Sequence, residues 1–192
     1  RVRAEGRGAI LFTGHYGNFD LFAATIAARG YPLSVVVQKQ RNSLVEARLT
    51  LTRERMGERV IARGGGAREI LRALERNEFI AILGDQDAHE GGVFVDFFGR
   101  PASTPRGPAR LARLAGAPLV FAVLERVEDG THVARIEDPI YPEAGSDEEA
   151  EVVRLTTAVT RLLEGAVRRR PDHYLWVHRR WKTRPPGEET GR

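Results

Sequence analysis

The stretch AILFTGHYGNFDLFAA, residues 9–24, sets a histidine and an aspartate five positions apart, between an apolar run and a helical pattern. A carboxylate that accepts a hydrogen bond from one imidazole nitrogen fixes the tautomer and frees the other nitrogen as a general base. His15 and Asp20 are residue types suited to that work. The plainer alternative is that Asp20 complements the positive end of a helix and His15 is a turn residue. Spacing does not separate the two, because the chain has 26 acidic residues and five histidines among 192. His132 and Glu137, in THVARIE, repeat the interval. That copy falls in a strand-like stretch, where an odd separation sends side chains to opposite faces, and it reads as a decoy. At residues 14–20 the histidine stays in a turn to which Gly14 and Gly17 give freedom, while Asp20 is already helical. The two are therefore expected to touch. No serine or cysteine nearby offers a nucleophile, so direct attack by a bound alcohol fits better than a covalent intermediate.

A second group of chemistry-bearing residues lies in GDQDAHEGGVFVDFFGRPASTPRGPA, residues 84–109. Asp85 follows the apolar run 79–84 as His15 follows 9–13, and ligands of open α/β sheets gather at the carboxyl ends of strands. Both residues are expected in one crevice. Asp85, Asp87 and His89 are of types that bind hard cations, but no recognised spacing supplies the remaining oxygens, and no metal is expected. Thr104-Pro105 reads as a helix N-cap followed by proline at the first helical position. Arg106 follows, giving either a phosphate site or an ordinary cap beside a solvated arginine. RGGGARE, residues 63–69, lacks the lysine and spacing of a nucleotide loop and reads as a flexible turn. The tail DHYLWVHRRWKTRP, residues 172–185, interleaves Tyr174, Trp176 and Trp181 with cations. It suits a membrane interface, single-stranded nucleic acid, or a final strand with aromatics inside and cations outside.

The elements that must position these groups follow from periodicity. Strands are expected at 9–13, 33–39, 58–62 and 79–84. Helices are expected at 18–28, 43–56, after the glycine turn at 63–66, at 105–116 and at 147–169. Residues 85–104 read as a long irregular loop, and 119–141 as a hairpin turning at Asp129-Gly130. Strands alternating with helices, then a hairpin, predict an α/β fold: one domain over residues 1–192, with a mixed sheet flanked by helices.

Composition narrows the chemistry. Apolar residues make up 42% and charged residues 29%, as in ordinary globular proteins. The absence of cysteine excludes disulfides, thiol catalysis and thiolate metal sites. The net charge is +4 and is carried almost entirely by arginine, since only Lys39 and Lys182 are lysines. Such a surface suits anionic partners, or reflects biased composition. No apolar run is long enough to span a bilayer. Residue 1 leads almost directly into GAILFTG, so the sequence is expected to begin inside a longer protein whose membrane anchor precedes it.

The ordered set GHYGNFD, GDQD, GVFVDFFGRPASTPRGPARLA and YLWVHRRWKTRP resembles the bacterial lipid A biosynthesis acyltransferases, within the lysophospholipid acyltransferase superfamily. The similarity runs from about residue 9 to residue 184. The resemblance implies transfer of a fatty acyl group from an acyl-carrier-protein or coenzyme A thioester to a hydroxyl of a membrane glycolipid, with no cofactor beyond that co-substrate. It places the family's base on His15, the orienting acid on Asp20, an arginine on Arg53 (or Arg55), and the first acid of an Asp-x-Asp motif on Asp85. Asp87, Thr104 and Arg106 then fall to substrate binding. Gln38 stands where members often have arginine, and Lys39 and Arg41 are the substitutes for that charge. Lipid A enzymes usually carry glutamate where Asp20 stands; aspartate resembles the phosphatidylinositol-mannoside acyltransferases and leaves the acceptor open. The implied location is the cytoplasmic face of the bacterial inner membrane, on an anionic surface and without nucleic acid. The competing reading is a lipid- or carrier-binding domain without turnover.

Overall fold

The computed structural model describes residues 1–64 and 66–187. Gly65 of the glycine turn and residues 188–192 of the expected domain lie outside the described residues. A six-stranded sheet has the order β3-β2-β4-β1-β7-β8. Its strands are β1 (Ala9–Thr13), β2 (Leu33–Val37), β3 (Glu58–Ala62), β4 (Phe79–Leu83), β7 (Leu119–Arg126) and β8 (His132–Ile136). The first five are parallel, and β8 returns antiparallel to β7. This is the mixed α/β sheet expected.

Helices α3 (Ala67–Glu75), α4 (Gly107–Ala115) and α5 (Glu148–Arg169) cover one face; α1 (Phe19–Ala28) covers the other, and α2 (Ser43–Arg55) lies beside β3. Side chains alternate along β1 accordingly. Ile10 and Phe12 join the larger core beneath α3, α4 and α5, whereas Ala9 and Leu11 join the smaller one beneath α1. Helix α5 is the main packing element: Val152, Leu155, Val159, Leu163 and Ala166 recur at helical spacing and are all buried. Among the described residues, no helix is long and apolar enough to cross a membrane.

Several boundaries differ from expectation; β2, expected to run to 39, ends at Val37. The stretch read as irregular holds a short 3-10 turn, His89–Gly91, and a separate hairpin of β5 (Val93–Phe97) and β6 (Arg100–Thr104). Phe98 and Gly99 both take positive φ between the paired Phe97 and Arg100, the two-residue turn that matches strand twist. Pro101 hides the second strand from a sequence reading, because proline argues against a strand interior. Thr104 is not a helix cap: it ends β6, and α4 begins three residues later with Arg106 at its N-cap and Pro108 in its first turn. The hairpin at Asp129-Gly130 and the α5 start at Asp147 agree with expectation.

Glu58 opens β3 as a buried carboxylate whose Oε2 has no hydrogen-bond partner. Burial pushes its pKa up to about 7, against the opposing pull of Arg53. The folded chain thus holds this proton to higher pH than the unfolded chain, so stability falls as pH rises from the ordinary carboxylate value through about 7. Glu58→Leu is expected to stabilise the fold by about 1–3 kcal/mol above pH 7, the cost of an unmatched buried polar group. The gain should shrink toward pH 4, as measured by urea denaturation at both values.

Candidate active site

Strands β1 and β4 pair in parallel with Thr13 opposite Leu83, so residues 14–15 and 84–85 leave the sheet side by side. Gly84 N–H donates to the Thr13 carbonyl, 3.0 Å, and extends the ladder by one bond. The next residues are His15 and Asp85. The Asp85 carboxylate accepts from the His15 backbone N–H at 2.9 Å and pairs with ring Nδ1 at 2.8 Å. Asp85 is only 2% exposed, whereas the His15 side chain keeps 24% of its surface. With Nδ1–H directed at the carboxylate, Nε2 is left as the basic nitrogen; the Gln86 amide lies 3.4 Å from it.

The expected contact between His15 and Asp20 is therefore replaced by another. Asp20, in the first turn of α1, is 61% exposed and accepts from Arg53 of α2 at 3.1 Å. The physical reason is reach: Asp20 stands on the far side of the cap residue Asn18, which accepts from Leu21 N–H, while Asp85 arrives directly alongside on the neighbouring strand. His132 and Glu137 make no hydrogen bond or ion pair with each other among the described residues; His132 pairs with Arg126 in the β7–β8 ladder.

Below the Asp20–Arg53 pair lies an apolar pocket between α1 and the sheet. Leu11, Phe22, Ile26, Val35, Val37 and Leu83 line it, with Thr13, Asp20 and Arg53 among its polar walls. Phe19 lines the same pocket and sets its ring edge-on to His15, with centroids 5.3 Å apart. One aromatic side chain thus joins the histidine to the apolar space.

The glycines of the turn have distinct reasons. Gly17 takes φ +58, and a Cβ there would come within 2.1 Å of the Leu124 carbonyl oxygen. Gly14 has an ordinary φ, but a Cβ would meet Leu163 at 2.9 Å and Asp85 at 3.2 Å. Gly14 is needed for the close approach of Asp85 rather than for turn freedom.

The remaining expected site residues scatter. Gln38, Lys39 and Arg41 are exposed on the segment joining β2 to α2. Thr104 is fully buried and takes a hydrogen bond from Arg180, so its hydroxyl is not open to a phosphate. Arg106 pairs with Glu149 of α5. Asp87 and His89 contact each other while Asp85 faces His15, so the three do not converge on one point.

Sequence reading missed the tail's role. It is not a strand but a 3-10 turn, Pro171–His173, followed by irregular backbone that grips the turns after β1 and β4. Leu175 N–H donates to the His15 carbonyl, 3.0 Å, and Gly17 N–H to the His173 carbonyl, 2.9 Å. On the other side, Thr183 binds the Asp87 carboxylate through N–H and Oγ1, and the Asp87 N–H donates to His178 Nε2 at 2.8 Å. Arg180 reverses the expectation of outward cations: it is 2% exposed and donates to the Ser103 carbonyl beside the Phe97 ring. Trp176 is 48% exposed, whereas Trp181 packs on Phe97 and the main core.

The profile of the bacterial lipid A biosynthesis acyltransferases matches residues 1–183. The chain belongs to that family. It is 30% identical over 98% of its length to a lipid A biosynthesis acyltransferase of Haemophilus influenzae, and covers 58% of that protein. It is 28% identical over 99% of its length to the lipid A biosynthesis palmitoleoyltransferase of Escherichia coli, covering 61% of it. A phosphatidylinositol mannoside acyltransferase of Mycobacterium tuberculosis is 34% identical over 61% of the chain and 38% of its own length. This member of the acyltransferase family thus spans about three fifths of the first two relatives.

The tail geometry assigns different weights to its two tryptophans. Trp181→Ala should destabilise the fold by about 2–4 kcal/mol, toward the cost of truncating a core aromatic. Trp176→Ala should cost less than half as much. Chemical denaturation of both variants checks the order.

Proposed function

We propose that this chain transfers a fatty acyl group from an acyl thioester, carried by acyl carrier protein or coenzyme A, to a hydroxyl of a membrane glycolipid. The observation that supports this most is the His15–Asp85 pair, with a basic Nε2 beside an apolar pocket. In this reading the acceptor hydroxyl displaces the Gln86 amide at Nε2. His15 removes the hydroxyl proton as its oxygen attacks the thioester carbonyl, giving a tetrahedral oxyanion. Collapse breaks the C–S bond, and the thiolate leaves with the proton from His15. Asp85 holds the ring and stabilises the imidazolium between these steps. The acyl chain occupies the pocket lined by Leu11, Phe22 and Ile26, and Arg53, paired with Asp20, faces the polar part of a substrate. No metal or resident cofactor enters the scheme.

The acceptor read first is a lipid A precursor, by family. A phosphatidylinositol mannoside is the second reading, supported by the mycobacterial relative and by Asp20 in place of glutamate. Both place the protein at the cytoplasmic face of a bacterial inner membrane, peripherally or through a preceding anchor. The surface supports such a location. Helix α2 buries none of its residues, and Leu44 in its first turn is 79% exposed; Val177 of the tail is 86% exposed. Leu44 follows the carboxyl end of β2, and Val177 belongs to the tail that holds the turns after β1 and β4; Lys39, Arg41, Arg48 and Arg179, close to them in sequence, are exposed. Aliphatic side chains among cations match an anionic bilayer.

Two experiments test these assignments. His15→Ala and Asp85→Asn should each lower transfer from a labelled acyl thioester by about 10²–10⁴-fold, with the melting temperature of His15→Ala nearly unchanged. Asp20→Asn should cost less than Asp85→Asn, because Asp20 does not touch the histidine. Full activity in folded His15→Ala would remove the mechanism. Separately, Leu44→Asp combined with Val177→Asp should weaken sedimentation with phosphatidylglycerol vesicles by roughly tenfold or more without changing the fold. Wild-type binding by this variant would place the docking face elsewhere.

A further inference from the structure

Asp85 orients His15, and the turn that carries Asp85 must itself be held. Strand β4 ends at Leu83, and Asp85, Gln86 and Asp87 follow it as irregular backbone. The tail supplies the hold at Asp87 through two groups. Thr183 engages the carboxylate, with Oγ1 to Oδ2 at 2.9 Å and N–H to Oδ1 at 3.3 Å. His178 engages the main chain, taking the Asp87 N–H onto Nε2 at 2.8 Å.

The direction of that second bond carries the argument. A backbone N–H is only ever a donor, so Nε2 must present a lone pair. His178 therefore stands neutral with its proton on Nδ1. If Nε2 gained a proton, two N–H groups would face each other at 2.8 Å, and the bond would be lost rather than weakened.

We propose that His178 is a positioning residue for the His15–Asp85 pair, and that it holds the Asp85 turn only in its neutral form. This rests on the acyl-transfer reading for its kinetic consequence, but not for its structural one. The charged and titratable groups facing His178 are Asp85 and Asp87 from the turn after β4, His15 from the turn after β1, and Arg180 from its own segment. Burial holds the His178 pKa below the ordinary histidine value; Arg180 and His15 push the same way, and the two aspartates oppose them. A lowered pKa keeps the clamp closed at neutral pH and opens it as the solution turns acid.

The consequence is an acid limb governed by two protons. His15 must be neutral to act as base, and His178 must be neutral to hold the turn that orients it. Across the pH range in which His178 takes up its proton, the logarithm of kcat/KM should fall more steeply than a slope of one, toward two. His178→Gln puts an amide oxygen near the place of Nε2, an acceptor at every pH. It should keep most of the activity and return the limb to a slope of one. His178→Ala, which removes the acceptor, should lower kcat by up to about 100-fold, the cost of misplacing a catalytic group by an ångström.

The test combines that profile with an NMR titration of the protein without substrate. The expected result is an unprotonated His178 Nε2 at pH 7 and an Asp87 amide resonance that shifts with His178 titration in the wild type but not in His178→Gln. A protonated Nε2 at pH 7, an Asp87 amide indifferent to His178, or a slope of two surviving in His178→Gln would each overturn the proposal. If no variant transfers acyl groups at any pH, the proposed function fails, and the titration still decides the clamp.

Discussion

One carboxylate fixes the centre of this molecule. Asp85 accepts from both the backbone N–H and the ring of His15, so it sets where the histidine sits and which way its ring points. A single acceptor group can do both only because β1 and β4 are hydrogen-bonded neighbours in register, releasing the two residues together at the end of the sheet. The buried position strengthens the arrangement, since a charge-assisted bond away from water is worth more than a solvated one. It also limits the surroundings: a side chain at residue 14 would collide with Asp85 itself.

That contact depends on supports from a distant part of the chain. Helix α5 fills the main core and delivers the tail back across the strand ends. Tyr16, next to the histidine, is fully buried and hydrogen-bonds to Glu125 of β7, while Tyr174 bridges to its backbone. Burial and the neighbouring Asp85 carboxylate push the Tyr174 hydroxyl pKa up. The buried Arg180 ties the tail to β6 through the Ser103 carbonyl. Burying a guanidinium is costly unless its donors are met, so this residue commits the tail to one path.

Around this rigid centre the other side of the site is open. Arg53 and Asp20 meet across the mouth of an apolar pocket, joined to the histidine by the Phe19 ring. Arg53 comes from a helix whose remaining surface is exposed and mixed, aliphatic with basic. The molecule thus keeps His15 on packed backbone and Arg53 on a helix turned to the surroundings.

The sequence by itself determined most of the elements and the edge of the sheet where His15 and Asp85 meet. Short apolar runs marked β1 and β4, glycine and proline marked the helix ends, and the alternation of strand and helix implied the parallel sheet. It also singled out His15 and Asp85, because each follows such a run and carboxyl ends of parallel strands gather at one edge. What it did not determine was which acid serves the histidine. Asp20 is five residues away along the chain and Asp85 is seventy, but strand pairing makes the distant residue the neighbour. The same reason hid the tail: Arg180 and His178 look like members of a solvated basic run until packing gives each its partner. Local periodicity is written in the chain, whereas a hydrogen bond between two turns exists only once the sheet has brought their strands together.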